Sequence, residues 1–347
     1  MVVGVTGAAG AVGSRVLERL ERAEGTVTVR SFDRRVVGAG TNRETVQLDL
    51  GVDDLGRSFV GLTSLVHLAT ATTPRADEVA SVDAELHILD RVLAAAAIAG
   101  VSQLVVLSTA MVYGAWPGNP MPLTEDAPIR PNPDFAWAAT RVRVEQRCQQ
   151  WGKAHGVAVA VLRPTAVVAD DSLGELARVL HSANQGIVSD GDPPAQYLHV
   201  DDLASAVAAV LATGFDGVVN VAPDGWISPN DLAQLEGTRQ GIRAPLWVAR
   251  QVAGLRTRYK LAPVPAGVVP YTANSWVVAN DRLRSLGWSA TYSNEEAWVV
   301  SHEPSGLERL PARRRQELAL AATATLGVGV GSMMWAAVRR WRRSREG

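Results

Sequence analysis

Cysteine is almost missing from this sequence, because Cys148 is the only one in 347 residues. An intrachain disulfide and a cysteine-based metal cluster are therefore both excluded. The expected state of Cys148 is a packed thiol on a helix, and the composition fits a reducing compartment.

The net charge is also close to zero, because the chain has 34 lysines and arginines and 35 aspartates and glutamates. The balance hides an asymmetry along the chain. The segment from Arg309 to the end contains nine arginines and two glutamates, so its net charge is +7. The net charge of residues 1–308 is therefore −8. Such an acidic body is not typical of a nucleic-acid-binding protein, so we expect no nucleic-acid partner and a separate role for the basic end.

The start of the chain lacks the basic segment of a secretory signal and continues directly into glycines. Residues 2–5 are therefore predicted to form a first strand. Near-continuous apolar strands that alternate with helices are typical of a parallel sheet buried on both faces. The sequence thus predicts an α/β fold with a doubly wound parallel sheet. Further strands are predicted at 26–32, 45–50, 65–68, 104–107, 157–162 and 218–221.

A glycine-rich loop follows the first predicted strand and precedes a helix with apolar residues on one face. Glycines at this spacing permit a sharp turn, a close approach of backbone to a pyrophosphate and close packing of helix on strand. The N-terminus of the helix then offers N–H groups to the phosphates. The residues of this loop predicted to contact a dinucleotide are Gly7, Ala9, Gly10, Val12 and Gly13.

The second predicted strand ends in an acid, Asp33, about 20 residues after the loop, where a carboxylate can bind the ribose hydroxyls. Asp33 favours NAD, because a carboxylate repels a 2′-phosphate. Arg34 and Arg35 follow directly and can bind that phosphate. NAD is therefore the expected cofactor, with NADP as the alternative.

Other motifs follow in chain order, and the ordered set resembles the extended short-chain dehydrogenase/reductase family, which includes NAD-dependent epimerases and dehydratases. The likeness covers roughly residues 1–300. It implies that Asp49 and Leu50 lie near the adenine, and that Leu68, Ala69 and Pro164 contact the cofactor. The matching motifs are Gly-x-x-Gly-x-x-Gly at 7–13, Leu48-Asp49-Leu50, His67-Leu68-Ala69, residues 108–114, Thr124-Glu125, Leu162-Arg163-Pro164, residues 199–204 and Leu286-Gly287-Trp288.

The catalytic positions of that family are only partly matched. The family uses a Ser or Thr hydroxyl, a Tyr as general acid/base and a Lys four residues after the Tyr. Thr109 matches the hydroxyl position, whereas the register of the following helix places Trp137 at the Tyr position and Arg141 at the Lys position. Arg141 can still hydrogen-bond the cofactor ribose, but an indole cannot relay a proton and an arginine is only a fixed charge. Tyr113 is the candidate substitute acid.

Two hypotheses about function remain open on these residues. The first is a cofactor-binding pseudoenzyme or regulator, which Trp137 and Arg141 favour. The second is an active NAD(P)-dependent oxidoreductase, epimerase or dehydratase on a sugar nucleotide or a lipid-like alcohol. Its substrate, or the protein partner of the pseudoenzyme, is not specified by the sequence.

Several histidines and acids near predicted strand ends are expected to be structural. His67 and His199 more often pack than react at such positions, and Asp201 and Asp202 are predicted to cap a helix that begins at Leu203. The acids at 170–171 and at 190 and 192 lack convergent histidine or glutamate, so we expect no metal site.

The resemblance and a change of composition after residue 221 indicate where the domains of the chain begin and end. Prolines and tryptophans accumulate there, which indicates a smaller, less regular substrate lobe. We assign 1–165 and 199–222 to the Rossmann domain and 166–198 and 223–305 to the substrate lobe. Residues 306–347 form a basic-flanked apolar tail.

Residues 318–338 of the tail are uncharged and lie between two arginine clusters. As a helix they are about 31 Å long, close to the hydrocarbon thickness of about 30 Å, although six alanines and three glycines make them only moderately apolar. The prediction is an apolar transmembrane helix that anchors the protein to the cytoplasmic face of a membrane. The alternatives are a peripheral basic tail and a soluble cytoplasmic protein. The glycines at 327, 329 and 331 would also permit a close helix contact within the membrane, and hence a homodimer.

Overall fold

The computed structural model of this chain describes residues 1–22, 27–40, 42–69, 79–170, 172–183, 187–189, 191–236, 242–258 and 265–302. All of them except His302 belong to one unit, Met1–Ser301. The strands are β1 (Val2–Thr6), β2 (Thr28–Asp33), β3 (Arg43–Gln47), β4 (Ser64–His67), β5 (Gln103–Leu107), β6 (Ala158–Pro164), β7 (Ala166–Ala169), β8 (Ser172–Leu173), β9 (Ile187–Ser189), β10 (Tyr197–His199), β11 (Gly217–Val221) and β12 (Ile242–Ala244).

The helices alternate with the strands through the first two thirds of the chain. They are α1 (Ala11–Glu21), α2 (Leu55–Ser58), α3 (Val79–Ala99), α4 (Ala136–His155), α5 (Glu175–Ala183), α6 (Val200–Thr213), α7 (Pro229–Glu236), α8 (Leu246–Arg258), α9 (Asp281–Arg284) and α10 (Asn294–Ser301). Two 3-10 helices span Ala110–Tyr113 and Ala266–Thr272.

Seven strands form one parallel sheet in the order β3-β2-β1-β4-β5-β6-β11. The chain starts in the middle, builds outward through β2 and β3, and returns to continue on the other side of β1 with β4. In such sheets the crevice at the carboxyl ends of the strands, where the order reverses, is the place where ligands bind. Here that crevice lies at the ends of β1 and β4.

Helices cover both faces of the sheet because its strands are apolar on both sides. On one face α1 and α6 pack together, with Leu17 of α1 and Leu203 of α6 fully buried in a shared cluster. On the other face α3 and α4 pack with Leu89 and Cys148 buried in a second cluster. Cys148 is fully buried, as the sequence predicted, and burial raises the pKa of its thiol to about 12.

The smaller lobe is built from the later strands and helices. It contains a three-stranded sheet, β10-β7-β8, and the parallel pair β12-β9. A third apolar cluster joins this lobe to the end of the large sheet, and it includes Tyr271, Trp276 and Phe135. The two regions therefore share buried residues within the unit Met1–Ser301.

The predicted fold class is confirmed for the described residues: a doubly wound parallel sheet with a smaller lobe. The predicted C-terminal apolar helix at 318–338 lies outside the described residues. Among the helices that the structure does describe, none is both long enough and apolar enough to span a bilayer. The domain boundaries assigned from the sequence stay predictions.

Candidate functional site

The glycine loop lies at the carboxyl end of β1, and two of its glycines are needed by the loop itself. Gly7 has a φ of 70°, and a Cβ there would lie 2.7 Å from the backbone nitrogen of Ala69. A Cβ on Gly13 would collide with the carbonyl oxygen of Gly7. Any larger residue at these two positions therefore meets backbone that cannot move aside.

Gly10 differs from its two neighbours in the motif because the space beside it is open. Among the residues that the structure describes, a Cβ there would meet only the Gly7 carbonyl oxygen, at 3.2 Å. Gly10 is also the N-cap of α1, and no side chain caps that helix. An uncapped helix N-terminus beside open space is a favourable place for a phosphate group. The loop therefore fits a pyrophosphate, with Ala9 and Val12 in the same turn.

Asp33 ends β2 beside this loop, and its carboxylate is already held in place. One oxygen accepts a hydrogen bond from the Ala9 backbone N–H at 3.0 Å and the other from the Arg35 backbone N–H at 2.9 Å. The Arg35 guanidinium donates to the Ala9 carbonyl oxygen at 2.7 Å. Arg34 is exposed, and its carbonyl oxygen accepts from the Gln47 side chain. Asp33 thus faces the loop, and the Arg35 side chain contacts the same loop at Ala9.

The residues predicted near the adenine and the ribose lie at the ends of neighbouring strands. Asp49 and Leu50 follow β3, where one Asp49 carboxylate oxygen accepts from the Gly51 N–H at 2.8 Å. Leu68 and Ala69 follow β4 and form the wall against which Gly7 packs. Pro164 ends β6, opposite Val221 in the sheet register. All of these positions lie along the carboxyl edge of the sheet.

Thr109, Trp137 and Arg141 form the other end of the candidate site. Thr109 follows β5, is 2% exposed, and accepts a hydrogen bond from the Met111 N–H at 3.3 Å on its Oγ1. Trp137 lies in the first turn of α4, half-buried, with its ring 5.7 Å from that of Phe135. Arg141 lies one turn later, and its guanidinium is 5.9 Å from the centre of the Trp137 ring. The Trp137 and Arg141 side chains therefore lie side by side on one helix face.

The Arg141 side chain is almost completely removed from water, with an exposed fraction of 1%. It forms an ion pair with Glu85 of α3, a residue that no sequence motif identifies. Its Nε is buried and has no hydrogen-bond partner among the described residues. A buried donor without a partner is costly in a protein interior, so this atom is a natural contact for a ligand.

His67 ends β4 and is 2% exposed. Its Nδ1 lies 2.8 Å from the Thr6 hydroxyl. Burial, followed by the nearby charge of Arg141, lowers the pKa of His67 to about 4. The imidazole is therefore neutral near pH 7, and its position beside Thr6 agrees with the predicted structural role.

Tyr113 is held in a buried polar network. Its hydroxyl donates to Oδ1 of Asn220 and accepts from the Arg163 guanidinium, both at 2.8 Å. Arg163 in turn forms an ion pair with Glu145 at 2.6 Å. Burial raises the pKa of Tyr113. The hydroxyl thus joins the end of β5 to β6 and β11, and both of its hydrogen-bonding directions are occupied.

His199 caps α6, and the predicted capping role of Asp201 and Asp202 is wrong. The helix begins at Val200, so both acids already lie in its first turn, and Nδ1 of His199 accepts the Asp201 N–H at 3.3 Å. Asp202 is 1% exposed and accepts the backbone N–H groups of Thr291 and Tyr292 at 2.8 and 3.0 Å. Its carboxylate therefore fastens a later loop to α6.

A cavity in the smaller lobe was not predicted from the sequence. It is lined by aromatic and polar side chains, and its Arg243 forms an ion pair with Asp192 at 2.6 Å. The residues come from segments with no recognisable motif, so no local signal identifies them. Its other aromatic and polar lining side chains include Gln196, Tyr197, Tyr271 and Trp276.

Comparison with known proteins agrees with this geometry. A sequence model of the NAD dependent epimerase/dehydratase family matches residues 3–222. The chain belongs to this family. The matched region begins in β1 and ends just after β11, so it contains the seven strands of the large sheet and the glycine loop.

A UDP-glucose 4-epimerase of Azospirillum brasilense is 29% identical to this chain over 228 residues. The match covers 58% of this chain and 60% of that relative.

Solved structures show the same fold over a longer stretch. The Thermus thermophilus UDP-glucose 4-epimerase, solved with NAD, superposes with a TM-score of 0.65 at 23% identity, covering 87% of this chain and 97% of that one. The Bacillus cereus UDP-glucuronic acid 4-epimerase, solved with UDP-glucuronic acid and NAD, gives 0.65 at 18% identity and covers 86% and 99%. The smaller lobe is thus part of the shared fold.

Proposed function

We propose that this protein binds NAD at the carboxyl edge of the large sheet and lacks the Tyr and Lys proton relay of its family. NAD, when bound, accepts or donates a hydride. The observation that carries the proposal is the contrast between the two ends of the site. The glycine loop and Asp33 fit a dinucleotide, whereas Trp137 and Arg141 occupy the positions of the relay.

Each part of the dinucleotide has residues of this chain to receive it. The Gly10 backbone and the N-terminus of α1 would hold the pyrophosphate, and Asp33 would accept the adenosine ribose hydroxyls. Asp49 would lie near the adenine, and Arg141 near the second ribose. Leu50, Leu68, Ala69 and Pro164 would supply apolar walls.

NAD is preferred over NADP because of the way Asp33 and Arg35 are arranged. The Asp33 carboxylate has 12% exposure and faces the loop, so a 2′-phosphate there would meet a fixed negative charge. The Arg35 guanidinium already donates to the Ala9 carbonyl oxygen and would have to leave it to bind a phosphate. Arg34, which is exposed like Arg35, remains as the other cation of the three residues.

The proton relay is missing for a chemical reason. An indole N–H has no accessible acid/base couple, and an arginine stays protonated at any physiological pH. Tyr113 is the alternative acid, but its hydroxyl lies between Asn220 and Arg163, and burial raises its pKa. These observations support a cofactor-binding pseudoenzyme or regulator.

The second candidate is an active NAD-dependent oxidoreductase, epimerase or dehydratase with a relocated acid. The Thr109 hydroxyl and the cavity lined by Tyr197 and Tyr271 favour it, because they would orient and hold a substrate. A sugar nucleotide or a lipid-like alcohol is the substrate class to test. Both candidates share the same NAD site.

Calorimetry of the full chain with NAD and with NADP tests the site. We expect NAD to bind more tightly, and Gly10→Val to abolish binding because the side chain fills the space of the pyrophosphate. Gly254→Val is the matched control, since Gly254 of α8 also faces open space but lies in the smaller lobe. Failure of the wild-type protein to bind either dinucleotide at millimolar concentration would refute the proposal.

Turnover separates the two candidates. The wild-type protein is expected to convert no more than a trace of sugar nucleotide, because general acid/base catalysis contributes about 10²–10⁴-fold in rate. NADH absorbance measures a net oxidation, whereas chromatography of the sugar product measures epimerisation or dehydration, in which NAD is regenerated. Robust turnover that survives Trp137→Phe and is lost in Tyr113→Phe would select the enzyme, with Tyr113 as its acid.

We further propose that residues 318–338 attach the protein to the cytoplasmic face of a membrane. The support is the uncharged length of the segment and the arginines on both of its sides. A soluble cytoplasmic protein is the alternative, and a homodimer through the tail glycines belongs to the same proposal.

A further inference from the structure

Helix α8 of the smaller lobe carries an apolar stripe on its outer side. Trp247 is 69% exposed and Leu255 is 53% exposed. They lie two turns apart, about 12 Å along the helix, and the exposed Gln251 lies between them on the same side. The inner side of α8 presents Ala249 and Ala253, which are buried in the third apolar cluster. The two large side chains of the stripe therefore face solvent and not the core.

The sequence around this stripe is basic in an otherwise acidic unit. Residues 237–280 contain no aspartate or glutamate, and this is the longest stretch of the chain without an acid. Residues 1–308 as a whole have a net charge of −8. The six cations of the basic stretch are Arg239, Arg243, Arg250, Arg256, Arg258 and Lys260.

Two of these cations pair with acids of other segments. Arg243 pairs with Asp192 at 2.6 Å, and Arg250 pairs with Asp134. When both acids are counted, the stretch still has a net charge of +4. The last turn of α8 contains two more of its cations and lies directly beside Leu255. Positive charge therefore accompanies the apolar stripe.

Charge decides which occupant suits the stripe. In a two-fold dimer a second copy of the chain would place the same surface against itself, so one basic, acid-free stretch would face another. The apolar segment 318–338 lies between arginine clusters, and the chain from Arg309 to the end has a net charge of +7. Both contacts would bring positive charge against positive charge. The occupant must be anionic as well as apolar.

We propose that α8 lies on an anionic lipid surface, with Trp247 and Leu255 in the headgroup region and the neighbouring arginines on the lipid headgroups. A tryptophan suits that region because its ring is apolar and its N–H can donate to polar groups. Long arginine side chains cover apolar surface with their stems and keep the charge at the headgroups. Helices that lie in a membrane surface have this combination of tryptophan, leucine and arginine.

The contact goes beyond the proposed tail anchor and beyond the NAD site. It uses residues of the unit Met1–Ser301 and does not require segment 318–338 to insert. It would also bring the cavity of the smaller lobe close to the lipid, because Arg243 lines that cavity and only two residues separate it from α8. A lipid-like alcohol would then reach the cavity directly from the membrane.

A fluorophore placed in the stripe tests the contact on the full chain. Cys148 is fully buried, so a cysteine introduced at the surface is labelled selectively. Gln251→Cys places an environment-sensitive dye in the stripe, and Gln146→Cys places the same dye at an exposed position of α4. On vesicles of phosphatidylcholine with phosphatidylserine, the emission of the dye at 251 should shift to shorter wavelength and be quenched by lipids with a nitroxide near the headgroup. The dye at 146 should show neither effect.

Paired substitutions show which side chains cause the shift. Trp247→Ser with Leu255→Ser should abolish it in the protein labelled at 251. Val60→Ser with Ile98→Ser is the matched control, because these side chains are 63% and 77% exposed but lie outside α8, and the shift should persist. Vesicles of phosphatidylcholine alone should give a clearly smaller shift, since the arginines then meet no net negative charge.

Three results would overturn this inference. Equal shifts at 251 and 146 would show unspecific adsorption. No shift at 251 would exclude the lipid contact and leave an acidic protein partner as the occupant, whether or not the protein sediments with the vesicles. Equal shifts on neutral and anionic vesicles would exclude the role of the basic stretch. Carbonate washes judge the tail and calorimetry judges the NAD site, so failure of either is distinguishable from failure at α8.

Discussion

Lowering the pH should destabilise this protein through one residue, His67. The unfolded chain has an ordinary histidine with a pKa of about 6.5, whereas burial and the charge of Arg141 lower the folded pKa to about 4. Above pH 6.5 both states are neutral and the contribution of His67 to the free energy of unfolding is complete. As the pH falls below 6.5, the unfolded chain binds a proton that the folded chain does not bind. Stability is therefore lost until the pH reaches the folded pKa.

The size of this loss follows from the two pKa values. One proton bound only by the unfolded state costs about 1.4 kcal/mol for each pH unit. Between pH 7 and pH 5 the free energy of unfolding should fall by about 2 kcal/mol, and by about 3 kcal/mol when pH 4 is reached. Such losses are a large fraction of the total stability of an ordinary domain.

Urea unfolding at pH 7 and pH 5, followed by tryptophan fluorescence, measures the effect. His67→Gln keeps a hydrogen-bonding partner for Thr6 but cannot be protonated, so its stability should fall about 2 kcal/mol less than that of the wild type over this range. His155→Gln is the matched control, because His155 is exposed on α4. Equal pH dependence in the wild type and His67→Gln would refute the reasoning.

Two other predictions concern Tyr113 and the tail. Tyr113→Phe leaves the Asn220 amide oxygen and Nη1 of Arg163 without this partner, although Arg163 keeps its ion pair with Glu145, so we expect a loss of about 2–4 kcal/mol in urea unfolding at pH 7. Tyr271→Phe removes a single bond to the Met111 carbonyl oxygen and should cost about 1 kcal/mol, and equal losses in the two variants would contradict the network. The full-length protein should stay with membranes through salt and carbonate washes, because apolar burial of 318–338 is not screened by ions. Release by salt alone would indicate attachment through the arginines.

The strands and helices of the large sheet could be predicted because each is specified by a short stretch of sequence. The apolar run predicted at 65–68 corresponds to β4, Ser64–His67, whose four residues are all buried. The glycine motif could be recognised from its spacing alone. A Cβ on Gly13 would collide with backbone of the same loop, whereas the collision of a Cβ on Gly7 with Leu68 and Ala69 became visible only in the structure. The register of Trp137 and Arg141 on one helix face followed from their spacing of four residues.

The charge pairs around the site could not be predicted, because their partners lie far apart in the chain. Glu85 lies 56 residues before Arg141, and nothing in the α3 sequence distinguishes it from the exposed Asp90. Asn220 reaches Tyr113 across 107 residues. Asp202 looked like a helix cap because it precedes Leu203, but the helix starts earlier and its carboxylate binds a distant loop. Only the packing of the elements decides such contacts.

If Trp137 and Arg141 occupy the relay positions of the family, as we propose, the Glu85–Arg141 pair gives a physical reason for both differences. In the family pattern a lysine must leave a net positive charge beside the tyrosine, since that charge lowers the pKa of the phenol. Here the Glu85 carboxylate neutralises the cation at position 141, so that cation would do little to lower the pKa of a tyrosine at position 137. A tryptophan needs no such charge and packs against Phe135 and the guanidinium instead. Restoring the chemistry therefore requires three positions to change together, because Trp137→Tyr and Arg141→Lys alone would leave a lysine bound to Glu85.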